Sequence, residues 1–198
     1  MIGVLGGIGS GKSAVASGLS KYFQILVLDA DKVGHELLAD ADVQSQLREQ
    51  FGTGIFTTSG SVDRRVLASH VFGTDEQHNL ARKELNRILH PRIRAALIQR
   101  LQSAPPQTDV VMLDAAVMLE ASWNDLCQAI VFIDVPFADR LARVQQQRGW
   151  NEDELRRREA SQLTLEEKRH RATVVIDNSK TLDDAVNQLR DFIEGFET

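Results

Sequence analysis

The chain has 198 residues, 42% of them hydrophobic and 26% charged, with 23 Lys+Arg against 28 Asp+Glu for a net charge of -5. The length predicts one domain with inserted subregions, and the composition excludes collagen-like and disordered classes. The acidic balance argues against a general binder of nucleic acid or anionic membrane, so any anion site must be local.

In chain order, the apolar run at 2–5 predicts a strand, followed by a glycine-rich turn. A helix then starts near Lys12, with Val15, Ala16, Leu19 and Phe23 spaced for one buried face. A second strand over 24–28 ends at Asp29-Ala30-Asp31. Residues 32–106 carry little strand signal and read as a helical insertion, in which Ala81, Leu85, Ile88, Leu89, Ile93, Leu97 and Leu101 share one face. Pro91 is expected to break or kink that run after His90. Ser103-Ala104-Pro105-Pro106 is a linker back to further short apolar runs at 110–113, 129–133 and 174–176, the pattern of strands covered on both faces in a parallel sheet. The polar, helical stretch 145–171 has few apolar positions; it suits a mobile cover better than a core. Thr181 with Asp184 signals a final helix whose buried face is Leu182, Val186, Leu189 and Ile193. The alternation predicts a doubly wound, three-layer α/β/α fold of about five parallel strands, with ligands at the carboxyl ends of the strands. The single cysteine, Cys127, can form neither an intrachain disulfide nor a cysteine zinc site and reads as inert; without a basic leader or an apolar run of about 18 residues, the chain reads as cytoplasmic.

Gly6-Gly7-Ile8-Gly9-Ser10-Gly11-Lys12-Ser13 fits G-x-x-x-x-G-K-[ST] at every specified position. Glycines let successive backbone N–H groups turn inward, and the following helix N-terminus adds partial positive charge, so the turn suits a polyphosphate. Lys12 would reach the β and γ phosphates, and Ser13 would offer its hydroxyl to Mg²⁺. Asp29 and Asp31 follow the second strand; either could take a proton from an attacking hydroxyl or hold Mg²⁺ through water, while Asp31 equally suits a helix N-cap. Asp114 ends a strand with the layout of a Walker B segment, although acidic residues end many buried strands. Arg140 and Arg143, on the helix after the fourth strand, and Arg148, Arg157 and Arg158, in the polar stretch, are the kind of residue that forms a solvated face; beside transferring phosphate, one or two would neutralise charge. His35, His70, His78, His90 and His170 show no metal-ligand spacing. The residues predict a Mg-ATP-dependent phosphotransferase or NTPase, and the absence of an Asn-Lys-x-Asp motif argues against a GTPase.

Taken together, the ordered motifs resemble the dephospho-CoA kinase family over nearly the whole chain. The resemblance rests on the glycine-rich loop, Asp29-Ala30-Asp31, Asp63-Arg64 with Leu67 and Val71-Phe72, and His90-Pro91-Arg92-Ile93. Leu119-Glu120, Arg143, Arg158 with Gln162, Lys168 and Ile176-Asp177-Asn178 extend it. It implies phosphorylation of the ribose 3′-hydroxyl of dephospho-CoA by ATP, with Mg²⁺, and partners limited to those two substrates, without nucleic acid, membrane or an obligatory protein partner. It also implies a single P-loop kinase domain over 1–198, with a nucleotide core at 1–31, 107–144 and 172–198, a CoA-binding insertion at 32–106 and a lid at 145–171. Asp31 is then the base, assisted by Lys12; Gly7, Ile8, Gly9, Ser10, Gly11, Lys12, Ser13, Ala14, Arg143 and Asn178 bind ATP. Asp31, Arg64, His90, Pro91 and Glu120 serve the acceptor, Arg148 and Arg158 the lid, and Ser13 the metal. The chain departs from the family pattern at Leu5 (usually threonine), Ala116-Val117-Met118 (Pro-Leu-Leu), Arg140 (often glutamine) and Thr173 (often aspartate). The rival readings are another P-loop small-molecule kinase and a nucleotide-binding regulator without kinase activity.

Overall fold

The structure is a computed structural model and describes residues 1–73 and 75–196. Two compact units form, Met1–Asp29 with Ser103 onward and Ala30–Gln102.

The first unit is built on strands β1 (Ile2–Gly6), β2 (Ile25–Asp29), β3 (Val110–Asp114), β4 (Ala129–Asp134) and β5 (Val174–Asp177). They form one parallel sheet in the order β2-β3-β1-β4-β5. All five residues of β1 are buried, as expected of a central parallel strand whose faces are both covered. The edge strands differ from the expectation of full cover: β2 leaves Val27 46% exposed, and β5 is buried only at Ile176. Register brings Asp29 beside Asp114 across β2 and β3, and Gly6 beside Ile133 across β1 and β4. The chain leaves β1 for β2 on one side and later returns to β4 on the other, so the loop after β1 opens where the topology reverses, the usual ligand position in such sheets.

In helix α1 (Lys12–Leu19), Val15, Ala16 and Leu19 are buried; Phe23 lies beyond the helix end yet joins the same core. Helix α9 (Leu182–Phe196) buries Ala185, Val186, Leu189 and Ile193, and Leu182, expected on that face, is exposed. Gly18 allows the contact between the two helices, because a Cβ there would lie 2.5 Å from Val186 Cγ2. The anticipated cap is present: Asp184 N–H donates to Thr181 Oγ1 at 3.1 Å and the Thr181 hydroxyl donates to Asp184 at 2.7 Å.

The region 145–171 spans the end of α6 (Phe137–Arg148), then α7 (Glu152–Glu159) and α8 (Leu165–His170). Although polar, it is more than a cover: Leu155 is 0% exposed and Lys168 2%. One buried leucine on α7 removes enough apolar surface to anchor a short helix by about 2 kcal/mol.

The second unit is all helical: α2 (Ala30–Leu37), α3 (Ala41–Phe51), α4 (Arg64–Val71) and α5 (Glu76–Gln102). Asp40 and Asp63 cap α3 and α4 by accepting two backbone N–H bonds each. Val43, Leu47, Ile55, Leu67, Val71 and Ile88 make its core. Pro91 does not break α5, which runs unbroken for 27 residues. Its exposed ring sits between buried Ile88 and buried Ile93, and this packing on both sides outweighs a helix-interior proline penalty of about 3 kcal/mol. The Arg92 guanidinium donates to the Ile88 carbonyl at 2.8 Å in the same stretch. Among the described residues no helix is long and apolar enough to cross a membrane.

Candidate functional site

The turn after β1 is held by its own backbone and by glycine. Ser10 N–H donates to Gly7 O at 3.1 Å, and Gly9 and Gly11 adopt left-handed φ of 82° and 84°. A Cβ at Gly11 would stand 2.7 Å from Asn178 Nδ2, so a side chain there is excluded by space as well as by torsion. Gly11 is also the N-cap of α1 and supplies no capping side chain, which leaves the amides of the first turn to a ligand.

Lys12 and Ser13 open α1 and line a cleft of about 300 Å³ together with Ser17, Ser20, Asp29 and Asp114, with Val4 and Met112 among its apolar walls. Lys12 Nζ makes only a long 3.5 Å bond to Gly6 O. Burial pushes the Asp114 carboxyl above its usual value; the Lys12 cation opposes that shift and the Asp29 charge adds to it. The Ser13 hydroxyl and the Asp29 and Asp114 carboxylates on this cleft are the oxygen donors that suit a hard divalent cation. Among the described residues no group of three or more His, Cys, Asp or Glu forms a metal cage, and Mg²⁺ is characteristically held by one or two carboxylates together with substrate phosphates. The donor set therefore fits Mg²⁺.

The loop is buttressed from outside by Arg143 and Asn178. Arg143 donates to Asn178 O at 2.9 Å, to Ser10 O at 3.4 Å and to Gly9 O at 3.5 Å, while buried Asn178 donates from Nδ2 to Ser10 O at 2.8 Å. Both residues thus touch the loop backbone. Ser10 is itself buried, and its Oγ has no hydrogen-bond partner among the described residues. Arg140 overturns the reading of a solvated face: it is 4% exposed and donates to Ile8 O at 3.2 Å. A buried guanidinium needs fixed acceptors, and the loop carbonyl supplies one.

Arg148 and Arg158 lie over Trp150, at 4.8 and 4.2 Å from the ring centre, and Arg158 also pairs with Glu154 at 2.6 Å. Arg157 also pairs with Glu154. Lys168, which the sequence offered only through the family pattern, donates to Gln162 Oε1 at 2.6 Å and to Ala116 O at 3.2 Å. Burial lowers its pKa, against the pull of Glu120. Glu120 in turn accepts the Leu163 N–H at 2.7 Å, so the segment after β3 is tied twice to the α7–α8 region.

In the helical unit, Asp31 occupies the first turn of α2. Since that helix already begins at Ala30, Asp31 cannot be its N-cap, and that alternative falls. Arg64, the first residue of α4, donates to His35 Nε2 at 2.8 Å, and His90 and Pro91 are consecutive within α5.

The profile of the family described as dephospho-CoA kinase matches residues 1–184. A dephospho-CoA kinase of Corynebacterium glutamicum is 37% identical over 185 residues, covering 92% of this chain and 90% of the relative. One from Bacillus licheniformis is 34% identical over 196 residues, covering 98% and 95%. Among solved structures, TT1252 from Thermus thermophilus superposes with a TM-score of 0.80 at 30% identity, covering 98% of this chain and 96% of the other. A shikimate kinase from Bacteroides thetaiotaomicron, at 13% identity, 98% and 97% coverage and a TM-score of 0.52, shares the fold alone. With its length matched from β1 to the start of α9, the chain belongs to the dephospho-CoA kinase family.

Proposed function

We propose that the chain transfers the γ-phosphoryl group of ATP to the ribose 3′-hydroxyl of dephospho-CoA, giving coenzyme A and ADP. The observation that carries this reading is the cleft of Lys12, Ser13, Asp29 and Asp114 beside the uncapped start of α1, in a chain of this family.

The loop from Gly7 to Ala14 holds the phosphates through the amides that remain once the Ile8 N–H is given to Glu159 and the Ser10 N–H to Gly7 O, and Lys12 offsets charge on the β and γ groups. Arg143 and Asn178 serve ATP through the loop they brace and through its base. Asp31 accepts the proton of the 3′-hydroxyl as that oxygen attacks the γ phosphorus and the bond to the β–γ bridging oxygen breaks. Arg64, His90, Pro91 and Glu120 bind the acceptor within an insertion spanning 32–106. Arg148 and Arg158, on a lid at 145–171, neutralise the phosphoryl group in flight and help to exclude water. Ser13, with Asp29 or Asp114, would hold Mg²⁺, which when bound offsets phosphate charge. The site of action is the cytoplasm, with ATP and dephospho-CoA as the sole required partners.

The test is ADP release from Mg-ATP with dephospho-CoA, AMP, shikimate, gluconate or no acceptor. Release with dephospho-CoA alone, and a 3′-phosphorylated product, is the expected result; release with another acceptor discards the substrate, and none at all despite ATP binding favours a regulator. Asp31→Asn should lower kcat by about 10²–10⁴ and leave the ATP KM in place. Unchanged turnover removes Asp31 as the base.

A further inference from the structure

The glycine-rich loop meets two charged side chains outside its own pattern. Arg140, in the first turn of α6, donates from Nη1 to Ile8 O and from Nε to Val135 O, each at 3.2 Å. Glu159, the last residue of α7, accepts the Ile8 N–H at 3.1 Å on the same Oε1 atom that pairs with Arg140 Nη1. The result is a closed ring: Ile8 N–H to carboxylate, carboxylate to guanidinium, guanidinium to Ile8 carbonyl. Both charged side chains are largely removed from solvent, at 4% and 19% exposure, so the pairing is enforced by burial. Two further contacts deliver Glu159 to this point: Leu155 of α7 is buried, and Arg156 of α7 lies 4.3 Å over the Phe137 ring at the start of α6. Glycine at position 7 makes room for the device, because a Cβ there would sit 2.7 Å from Arg140 Nη1.

We propose that Arg140 and Glu159 are positioning residues for ATP, which clamp the Ile8 backbone so that the loop amides stand ready for the phosphates. This rests on the reading of the loop as the ATP site. Ile8 is flanked by Gly7 and Gly9, whose peptides have no side chains to limit their rotation, and Gly9 is already in a left-handed conformation. A carboxylate on the N–H and a guanidinium on the carbonyl fix the orientation of the two peptides on either side of Ile8. Donors held in place before the ligand arrives avoid the cost of ordering them on binding. The clamp also links the loop to α7, whose Arg158 precedes Glu159 in the chain.

Steady-state kinetics of the full chain with Mg-ATP and dephospho-CoA test this, with thermal melting run alongside. Glu159→Leu should raise the ATP KM about tenfold while the acceptor KM moves by less than about twofold. Glu159→Gln keeps an acceptor for the Ile8 N–H and should recover most of the loss, even if both variants melt at one temperature. The exchanged pair Arg140→Glu with Glu159→Arg rebuilds an ion pair but turns a carboxylate to the Ile8 carbonyl and a guanidinium to its N–H; its ATP KM should stay high. An unchanged or lower ATP KM in Glu159→Leu overturns the proposal, as does rescue by the exchanged pair, which would make the contact a simple salt bridge. Should the exchanged protein not fold, the Leu-against-Gln comparison decides alone. Failure of the ATP-site reading is separate, since it shows in the wild type as absent ATP binding.

Discussion

Four arginines of α6 and α7 divide into two pairs with opposite surroundings. Arg140 and Arg143 spend their donors on backbone carbonyls in and around the glycine-rich loop, from Ile8 to Ser10 and at Val135 and Asn178. Arg148 and Arg158 rest on the ring of Trp150, with Arg158 half exposed in its pair with Glu154. Stacking and surface ion pairs of this kind are each worth about 1 kcal/mol or less, so the second pair can be redirected cheaply, whereas the first is part of the framework. One residue type thus braces the glycine-rich loop in one place and, on the proposed function, supplies movable charge in the other. Lys12 sets the scale for both, because it belongs to the loop yet has only a 3.5 Å bond to Gly6 O. Lys12→Ala should lower kcat/KM for ATP on the order of 10²–10³, measured against unchanged melting of the free protein.

Exchanging one member of each pair sharpens the contrast. Arg143→Ala removes the guanidinium bonds to the carbonyls of Gly9 and Asn178 and leaves Ser10 O to Asn178 Nδ2, and removing hydrogen bonds from a charged donor costs about 2–3 kcal/mol. For a chain of this size that is a fall in Tm of about 5–10 °C, with a higher ATP KM. Arg158→Ala should keep Tm within about 1 °C and lower kcat about tenfold or more. Calorimetry and single-turnover rates separate the two effects. Equal losses of Tm in both variants would erase the distinction.

The loop, the strand positions and the two-residue offset from Asp29 to Asp31 were legible in the sequence because each rests on local rules: glycine torsions, apolar runs and strand ends. What was hidden depends on packing between distant segments. Pro91 obeys its local steric rule in isolation, but buried side chains on both sides hold α5 together. Arg140 reads as solvated in a helical projection, and its burial is made tolerable by Val135 O nearby together with Ile8 and Glu159, 132 and 19 residues away. Lys168 is concealed for the same reason, its acceptors being Gln162 and the carbonyl of Ala116, 52 residues earlier. Leu182 shows the reverse error, since an apolar residue at the right spacing sits at a helix end where nothing covers it fully.

Asp114 extends the comparison to the acidic side of the cleft, where a buried carboxyl works against the interest of the fold. Its carboxyl lies above the ordinary value of 3.8, first because burial removes it from water. The folded protein therefore keeps the proton longer than the unfolded chain does. Below 3.8 both states are protonated and this site exacts no penalty; as pH rises past that value and through the raised folded pKa, stability is lost and stays lost at neutral pH. Asp114→Asn removes the ionisation, so the ligand-free variant should melt above wild type at pH 7.5, with the gap closing toward pH 4. Turnover should fall in the same variant, because the carboxylate is one of the two that suit Mg²⁺ in this cleft. A melting difference independent of pH would mean that Asp114 acts through packing, and the acidic wall would then join Arg140 and Arg143 as framework.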